Sequence, residues 1–325
     1  MSENYERNEN YNHYLELKDV KKYFSTPGGP LHAVDDVNFT LEKGRTIGIV
    51  GESGCGKSTL GRVISRLLDA TDGEVIFKGE NILNYKGKRL KDQRREIQMI
   101  FQDPFSSLNP RKTIYNTIAE PMITQRMFKS KSELESKVFE KMELVGLAER
   151  YINTYPHELD GGRRQRIGIA RALALEPELI VCDEPVSALD VSIQAQILNL
   201  LKRLQQGFGY TYIFITHDLS VIKHFTQDVL VMYLGQVVEK APVNELFSNL
   251  KHPYTQALLS AIPLPDIDNK RERVILKGEI TSPINPKDEC RFAARCAYVS
   301  DECRKKCPPL TDLGGGHHVR CYYPL

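Results

Sequence analysis

No apolar run in the sequence approaches the roughly 18–20 residues that a membrane-spanning helix needs. An excess of one charge sign is missing too: 44 Lys and Arg stand against 42 Asp and Glu, a net charge of +2. A nucleic-acid binder would gather a basic surplus on one face or tail, so no nucleic-acid partner is expected. Residues 1–14 are polar and rich in Asn, with no basic start leading into an apolar stretch, and do not read as a signal peptide. Work at a membrane would then be that of a peripheral subunit held by partners. No internal repeat is found. What is present, 41% hydrophobic and 26% charged residues over 325 positions, suits a globular protein with one large core and a smaller second unit.

Cysteine is scarce in the body of the chain and concentrated at its end. Cys55 and Cys182 stand apart, whereas Cys290, Cys296, Cys303, Cys307 and Cys321 fall within the last 36 residues. Without an export signal disulfides are not expected, and a clustered set in a reducing compartment reads first as a metal site.

Three short runs, Ile47-Gly48-Ile49-Val50, Leu179-Ile180-Val181-Cys182 and Tyr212-Ile213-Phe214-Ile215, are apolar on both faces. Such runs suit strands covered by helices on both sides, hence an α/β core with a largely parallel sheet. Strand signals stop between about 103 and 171, and residues 131–145 space their apolar side chains as a helix does, which predicts a helical insertion. Prolines at 253, 263, 265, 283 and 286 then lead into the cysteines. The expected division is a polar tail over 1–13, a core over 14–250 and an appended small unit over 251–325.

The stretch Gly51-Glu52-Ser53-Gly54-Cys55-Gly56-Lys57-Ser58-Thr59 fits the phosphate-loop pattern between a strand and a helix. Its glycines let backbone N–H groups turn inward on phosphates at the positive end of the next helix. Lys57 is expected to reach the β- and γ-phosphates and the Ser58 hydroxyl to ligate Mg²⁺. The plain alternative is a Gly-rich turn, and Cys55 occupies a variable position where it need only be small. Farther on, the strand 179–183 ends in Asp183 followed by Glu184, either a helix-capping pair or a Mg²⁺ ligand beside a group that polarises an attacking water.

Between these lies Leu159-Asp160-Gly161-Gly162-Arg163-Arg164-Gln165-Arg166, followed by a helical run over 167–175. Here the chain resembles the ABC transporter ATPases, whose signature is Leu-Ser-Gly-Gly-Gln. The resemblance implies a RecA-like mixed sheet with a helical subdomain, binding ATP and Mg²⁺ between two such subunits. It makes Gln102 a sensor of Mg²⁺ and of the attacking water, together with Ser58 and Asp183 around the metal. It makes Glu184 the catalytic carboxylate and His217 the switch that touches the γ-phosphate. Asp160, Gly161 and Gly162 would close over the partner's nucleotide, and Ser187-Ala188-Leu189-Asp190 would touch the partner. Phe24 stands where an aromatic stacks on adenine, with Tyr23 as the neighbouring alternative. Taken singly, His217 is an ordinary strand-end histidine and Phe24 a core residue.

A narrower resemblance is carried by Gln102-Asp-Pro-Phe-Ser-Ser-Leu-Asn-Pro110, by His252-Pro-Tyr-Thr-Gln-Ala-Leu-Leu259 and by the cysteine region. These are similar to the ATPase subunits of dipeptide and oligopeptide importers, whose nickel-importing relatives share much of the pattern. That family implies a second, non-identical ATPase chain, two permease subunits and an external peptide-binding protein, at the cytoplasmic face of the membrane. It also implies a [4Fe–4S] cluster on Cys290, Cys296, Cys303 and Cys321. Cys307 is an alternate to Cys303, Ala297 replaces the family's proline, and His317 and His318 keep zinc open. A non-transport ABC ATPase would carry two cassettes or a long coiled-coil insertion, and neither is present. In the signature Asp160 replaces serine and Arg163 replaces glutamine: a carboxylate would face the γ-phosphate, would cap the helix starting at Gly161, or would do both, with Arg163 restoring some positive charge.

Overall fold

The computed structural model describes residues 13–262, 274–276, 278 and 281–325. Residues 1–12 of the expected tail, and Pro263 and Pro265, lie outside the described residues. The chain opens on two long strands, β1 (Leu15–Thr26) and β2 (Gly29–Leu41), and β3 (Thr46–Val50) then delivers the phosphate loop to α1 (Lys57–Ile64). β4 (Asp72–Phe77) and β5 (Glu80–Asn81) complete a four-stranded antiparallel sheet in the order β2-β1-β4-β5. α2 (Gly87–Glu96) leads into β6 (Ile97–Ile100).

The stretch after β6 is helical: α3 (Pro104–Ser107), α4 (Ile114–Thr124), α5 (Lys131–Leu144) and α6 (Gly161–Leu173). Each start has a local cause. Thr113, Ser130 and Asp160 accept backbone N–H groups of the first turns of α4, α5 and α6, satisfying donors that have no partner inside a helix. Val138, Met142, Ile167 and Leu173 of this insert are buried in one core cluster.

The α/β alternation then resumes with β7 (Leu179–Asp183), α7 (Val191–Phe208), β8 (Thr211–Ile215), α8 (Leu219–Phe225) and β9 (Asp228–Tyr233). β10 (Gln236–Pro242), α9 (Val243–Ser248), α10 (Pro253–Ser260), α11 (Asp301–Lys305), β11 (Thr311–Asp312) and β12 (His318–Val319) follow. An eight-stranded sheet runs in the order β11-β12-β10-β9-β3-β8-β7-β6. The five strands β6, β7, β8, β3 and β9 pair in parallel, and the rest are antiparallel, so the sheet is mixed.

The central strands are buried on both faces, and their side chains divide by parity. Leu179, Val181, Ile213 and Ile215 join the cluster beneath α1 and the antiparallel sheet. Ile180, Cys182, Tyr212 and Phe214 join the opposite one, which holds the helical insert. In register Ile215 lies opposite both Ile49 and Asp183, so β3, β7 and β8 end level. The chain segments leaving those ends share one edge of the sheet, where open parallel sheets bind ligands.

Residues from 281 onward fold back onto the core. β12 pairs with β10 through Glu239 opposite Val319, and Phe292 meets Tyr233 edge-on at 5.2 Å between ring centroids.

Candidate functional site

The phosphate loop turns at glycines that admit no side chain. Gly56 has φ 105°, and a Cβ there would lie 2.0 Å from the Ala33 carbonyl oxygen; at Gly51, φ 151°, it would lie 2.2 Å from that of Met232. Ser53 and Gly54 are exposed at the tip, while Cys55 is buried at the base, where burial raises its thiol pKa. The buried Lys57 ammonium donates to the carbonyls of Gly51 (2.8 Å) and Glu52 (2.9 Å), so it lies along the inside of the loop. Thr59 follows in the first turn of α1, half-buried.

Asp183 reaches the loop from the end of β7, and its Oδ1 accepts the Ser58 hydroxyl at 2.7 Å. Only 2% exposed, it is held above the usual carboxylate range by burial, with the charge of Glu184 adding and Ser58 and Arg62 opposing. An alcohol and a carboxylate oxygen at this distance are hard oxygen donors, the set that Mg²⁺ prefers.

Glu184 adopts φ 44°, a left-handed backbone uncommon outside glycine, with its N–H donated to the Ile215 carbonyl at 2.9 Å. One of its oxygens collects two partners from distant parts of the chain. Gln102, past the end of β6, donates its amide at 3.0 Å, and Nδ1 of His217, past the end of β8, lies 3.1 Å away. The three residues expected to act in hydrolysis therefore meet on one carboxylate oxygen, with His217 58% exposed to whatever occupies the site.

Asp160, Gly161 and Gly162 are elsewhere. Among the described residues no hydrogen bond or ion pair joins them to loop 51–59. They open α6 against the segment after Asp190, where a Cβ on Gly162 would come 2.7 Å from Ile193. Asp160 Oδ1 accepts the Arg163 N–H at 2.8 Å, the helix-capping bond, and its Oδ2 pairs with the Arg163 guanidinium. The cap expected as the plain alternative is thus present. The carboxylate also carries a counter-charge on its own helix. Phe24, on β1, is half-buried with the Lys22 ammonium 5.1 Å from its ring centroid. Tyr23 is committed elsewhere: its ring stacks on His32 at 3.8 Å and its hydroxyl donates to Asp35.

Cys290, Cys296, Cys303 and Cys321 line one small cavity of about 20 Å³, closed by His252, Phe292 and other side chains. Burial, and then the charges of Cys303, Cys307 and Cys321, push the Cys290 thiol up to about 12. Two sequence-based alternatives are corrected. Cys307 points instead to the buried Gln236, its Sγ 3.5 Å from Oε1, and does not line the cavity. His317 is bound to buried Glu239 at 2.8 Å and His318 sits by the Gly316 carbonyl, so neither faces the thiols. As the side chains stand, no group of three or more His, Cys, Asp or Glu among the described residues is placed to hold a metal ion.

Residues 52, 254 and 295 share a link that no local pattern pairs. Glu52 donates its N–H to the Tyr254 hydroxyl at 2.8 Å, and its carboxylate takes both terminal nitrogens of Arg295, at 2.6 and 3.1 Å. The only signal was an acidic residue in a variable loop position.

A phosphate loop leaving the third strand, acidic groups at the end of β7 and a helical insert between β6 and β7 define a class, the ATP-binding cassette ATPases. The ABC transporter family model matches residues 34–187, and the model for the oligopeptide/dipeptide transporter C-terminal region matches 238–303. The oligopeptide transport ATP-binding protein AppF of Bacillus subtilis (strain 168) is 51% identical over 95% of this chain and 96% of its own length. OppF of Escherichia coli (strain K12), named likewise, is 52% identical over 95% and 92%. The dipeptide transport ATP-binding protein DppF of the same strain is 47% identical over 93% and 90%. A solved structure of the dimeric ATP-binding cassette MJ0796 in a post-hydrolysis state with ADP and Pi superposes with TM-score 0.65 at 32% identity, over 70% of this chain and 98% of that one. The chain belongs to the ABC transporter ATPases, in the group of oligopeptide and dipeptide transport ATP-binding proteins, and is an ATP-hydrolysing enzyme.

Proposed function

We propose that this chain binds and hydrolyses ATP to power uptake of oligopeptides or dipeptides, as a peripheral subunit on the cytoplasmic face of the membrane. The observation that carries the reading is the meeting of Gln102 and His217 on Glu184 beside the Ser58–Asp183 pair. In this reading the backbone of residues 51–59 and Lys57 cradle the phosphates and Phe24 stacks on the adenine. Ser58, Asp183 and Gln102 would hold Mg²⁺, which would neutralise charge on the phosphate oxygens. Glu184 orients the attacking water, and Gln102 and His217 hold that carboxylate in place. The working division is a tail over 1–13, an ATPase core over 14–250 with its helical part over 103–171, and a C-terminal unit over 251–325.

The partners in this reading are a second, non-identical ATPase chain, two permeases and an external peptide-binding protein. ATP then closes the pair of ATPase chains, each covering the other's nucleotide with its signature, because the closed state binds ATP better. The four thiols on one cavity supply the soft donor set of a [4Fe–4S] cluster, which would staple a unit that has little core of its own.

Two measurements test the reading. Proteoliposomes holding the full assembly should take up labelled peptide only with ATP, and uptake unaffected by ATP removal contradicts it. The chain purified without oxygen should carry about four irons. Stoichiometric zinc without iron or sulfide overturns the cluster and leaves the motor standing.

A further inference from the structure

We infer that the segment 290–296 braces the nucleotide pocket from behind, through two arginines lying between its two cysteines. Arg295 reaches the phosphate loop. Its guanidinium is buried, 8% exposed, and grips the Glu52 carboxylate at 2.6 and 3.1 Å in the two-pronged geometry that fixes direction as well as distance. Glu52 is the second residue of the loop, and its carbonyl is one of the two that hold Lys57, at 2.9 Å. Its N–H is tied to the Tyr254 hydroxyl at 2.8 Å. Loop residue 52 is thus anchored at its N–H and its side chain by groups 202 and 243 positions away, while its carbonyl orients the phosphate-binding lysine.

Arg291, one turn earlier, does the corresponding work at the base end. Its guanidinium is 7% exposed, pairs with Asp35 and donates to the Leu234 carbonyl. Asp35 accepts the Tyr23 hydroxyl, and Tyr23 precedes Phe24 on β1. The same C-terminal stretch grips that hairpin through its backbone: His32 donates to the Pro283 carbonyl at 2.9 Å and Asn285 to that of Pro30 at 3.0 Å. A single short segment therefore holds both the phosphate loop and the strand pair that presents the adenine-facing aromatic. Arg295 and Arg291 are positioning residues, since each acts through a carboxylate rather than on the nucleotide. Their function is to keep the empty pocket in its binding shape, so that less ordering remains to be done when ATP arrives.

The inference rests on the nucleotide site assigned above, and the experiment separates the two. ATP binding with Mg²⁺ is measured by calorimetry on the full-length chain, and KM and kcat on the assembled transporter. Arg295→Gln and Glu52→Gln should each weaken ATP binding about tenfold, roughly 1.4 kcal/mol. Arg295→Lys should recover part of the loss, and the double Glu52→Gln/Arg295→Gln should be no weaker than Arg295→Gln alone. For Arg295→Gln the KM for ATP should rise with kcat retained at saturation, which a loss of folded protein would not produce. If Arg295→Gln does not fold, Glu52→Gln and Arg295→Lys carry the same comparison. Lys57→Ala serves as the control. Weak binding by Lys57→Ala with Kd and KM of the other variants within twofold of the parent overturns the brace. Parental binding by Lys57→Ala instead overturns the site on which it rests.

Discussion

Asp183 is the residue where stability and function pull apart most plainly. A carboxylate 2% exposed, beside Glu184 and with one hydroxyl donor, costs the nucleotide-free fold desolvation energy. Its raised pKa has a definite sign: the folded state holds that proton more tightly than the unfolded chain, so the group favours folding most at acid pH and less as pH rises past its folded value. Asp183→Asn should therefore raise the melting temperature of the free protein at neutral pH, while abolishing Mg²⁺-dependent hydrolysis. A melting temperature that falls would show that the charge is already compensated. Gly56→Ala should fail for a backbone reason, since the Ala33 carbonyl has nowhere to go; ATP binding is expected to drop below detection in a chain that still folds. Much of this was legible in sequence because the phosphate loop and the Asp183-Glu184 pair each mark the end of an apolar strand. The links on Glu52 and Arg291 were not, because they join residues more than 200 positions apart that no local pattern pairs.

At the scale of elements, α6 shows how one residue can answer two readings. Aspartate in place of the signature serine was read as a repulsive carboxylate or as a cap, and the capping bond is there at 2.8 Å, with Arg163 as counter-ion. Asp160→Ala should cost about 1 kcal/mol of stability through the lost cap, whereas Asp160→Ser keeps it. If Asp160→Ser also speeds turnover at the site shared with the partner chain, the carboxylate is repulsive there in spite of Arg163; unchanged turnover and affinity make it a cap alone. The parallel strands were readable because apolar runs on both faces survive in any sequence context. β11 and β12, two residues each, have no periodicity to read. Their pairing is decided by β10, whose buried Glu239 holds His317 and the N–H groups of Lys251 and His252. The cysteines are a mixed case: the family resemblance points to Cys290, Cys296, Cys303 and Cys321, which line one cavity, whereas spacing alone leaves Cys307 open and its place depends on how the loops around Phe292 pack.

The whole molecule is half of a machine in the proposed reading: the groups around Glu184 come from one chain, and the signature of another must close over them. With loop 51–59, Asp183 and Glu184 all in place, this chain's own site should be the efficient one of the pair, and the site borrowing Asp160 the slower one. Even about 1.4 kcal/mol of repulsion there costs tenfold in rate. Matching Glu→Gln substitutions in the two chains should then be unequal, the one in the partner being milder. The measurement that bears most directly on the central claim is Glu184→Gln in the assembled transporter, with ATP binding and ATP turnover followed on the same preparation. The substitution keeps shape and the contacts to Gln102 and His217 while removing the charge that orients water. ATP binding should stay near parental while turnover falls at least a hundredfold, about 2.7 kcal/mol of lost transition-state stabilisation. Turnover at the parental rate would contradict the account.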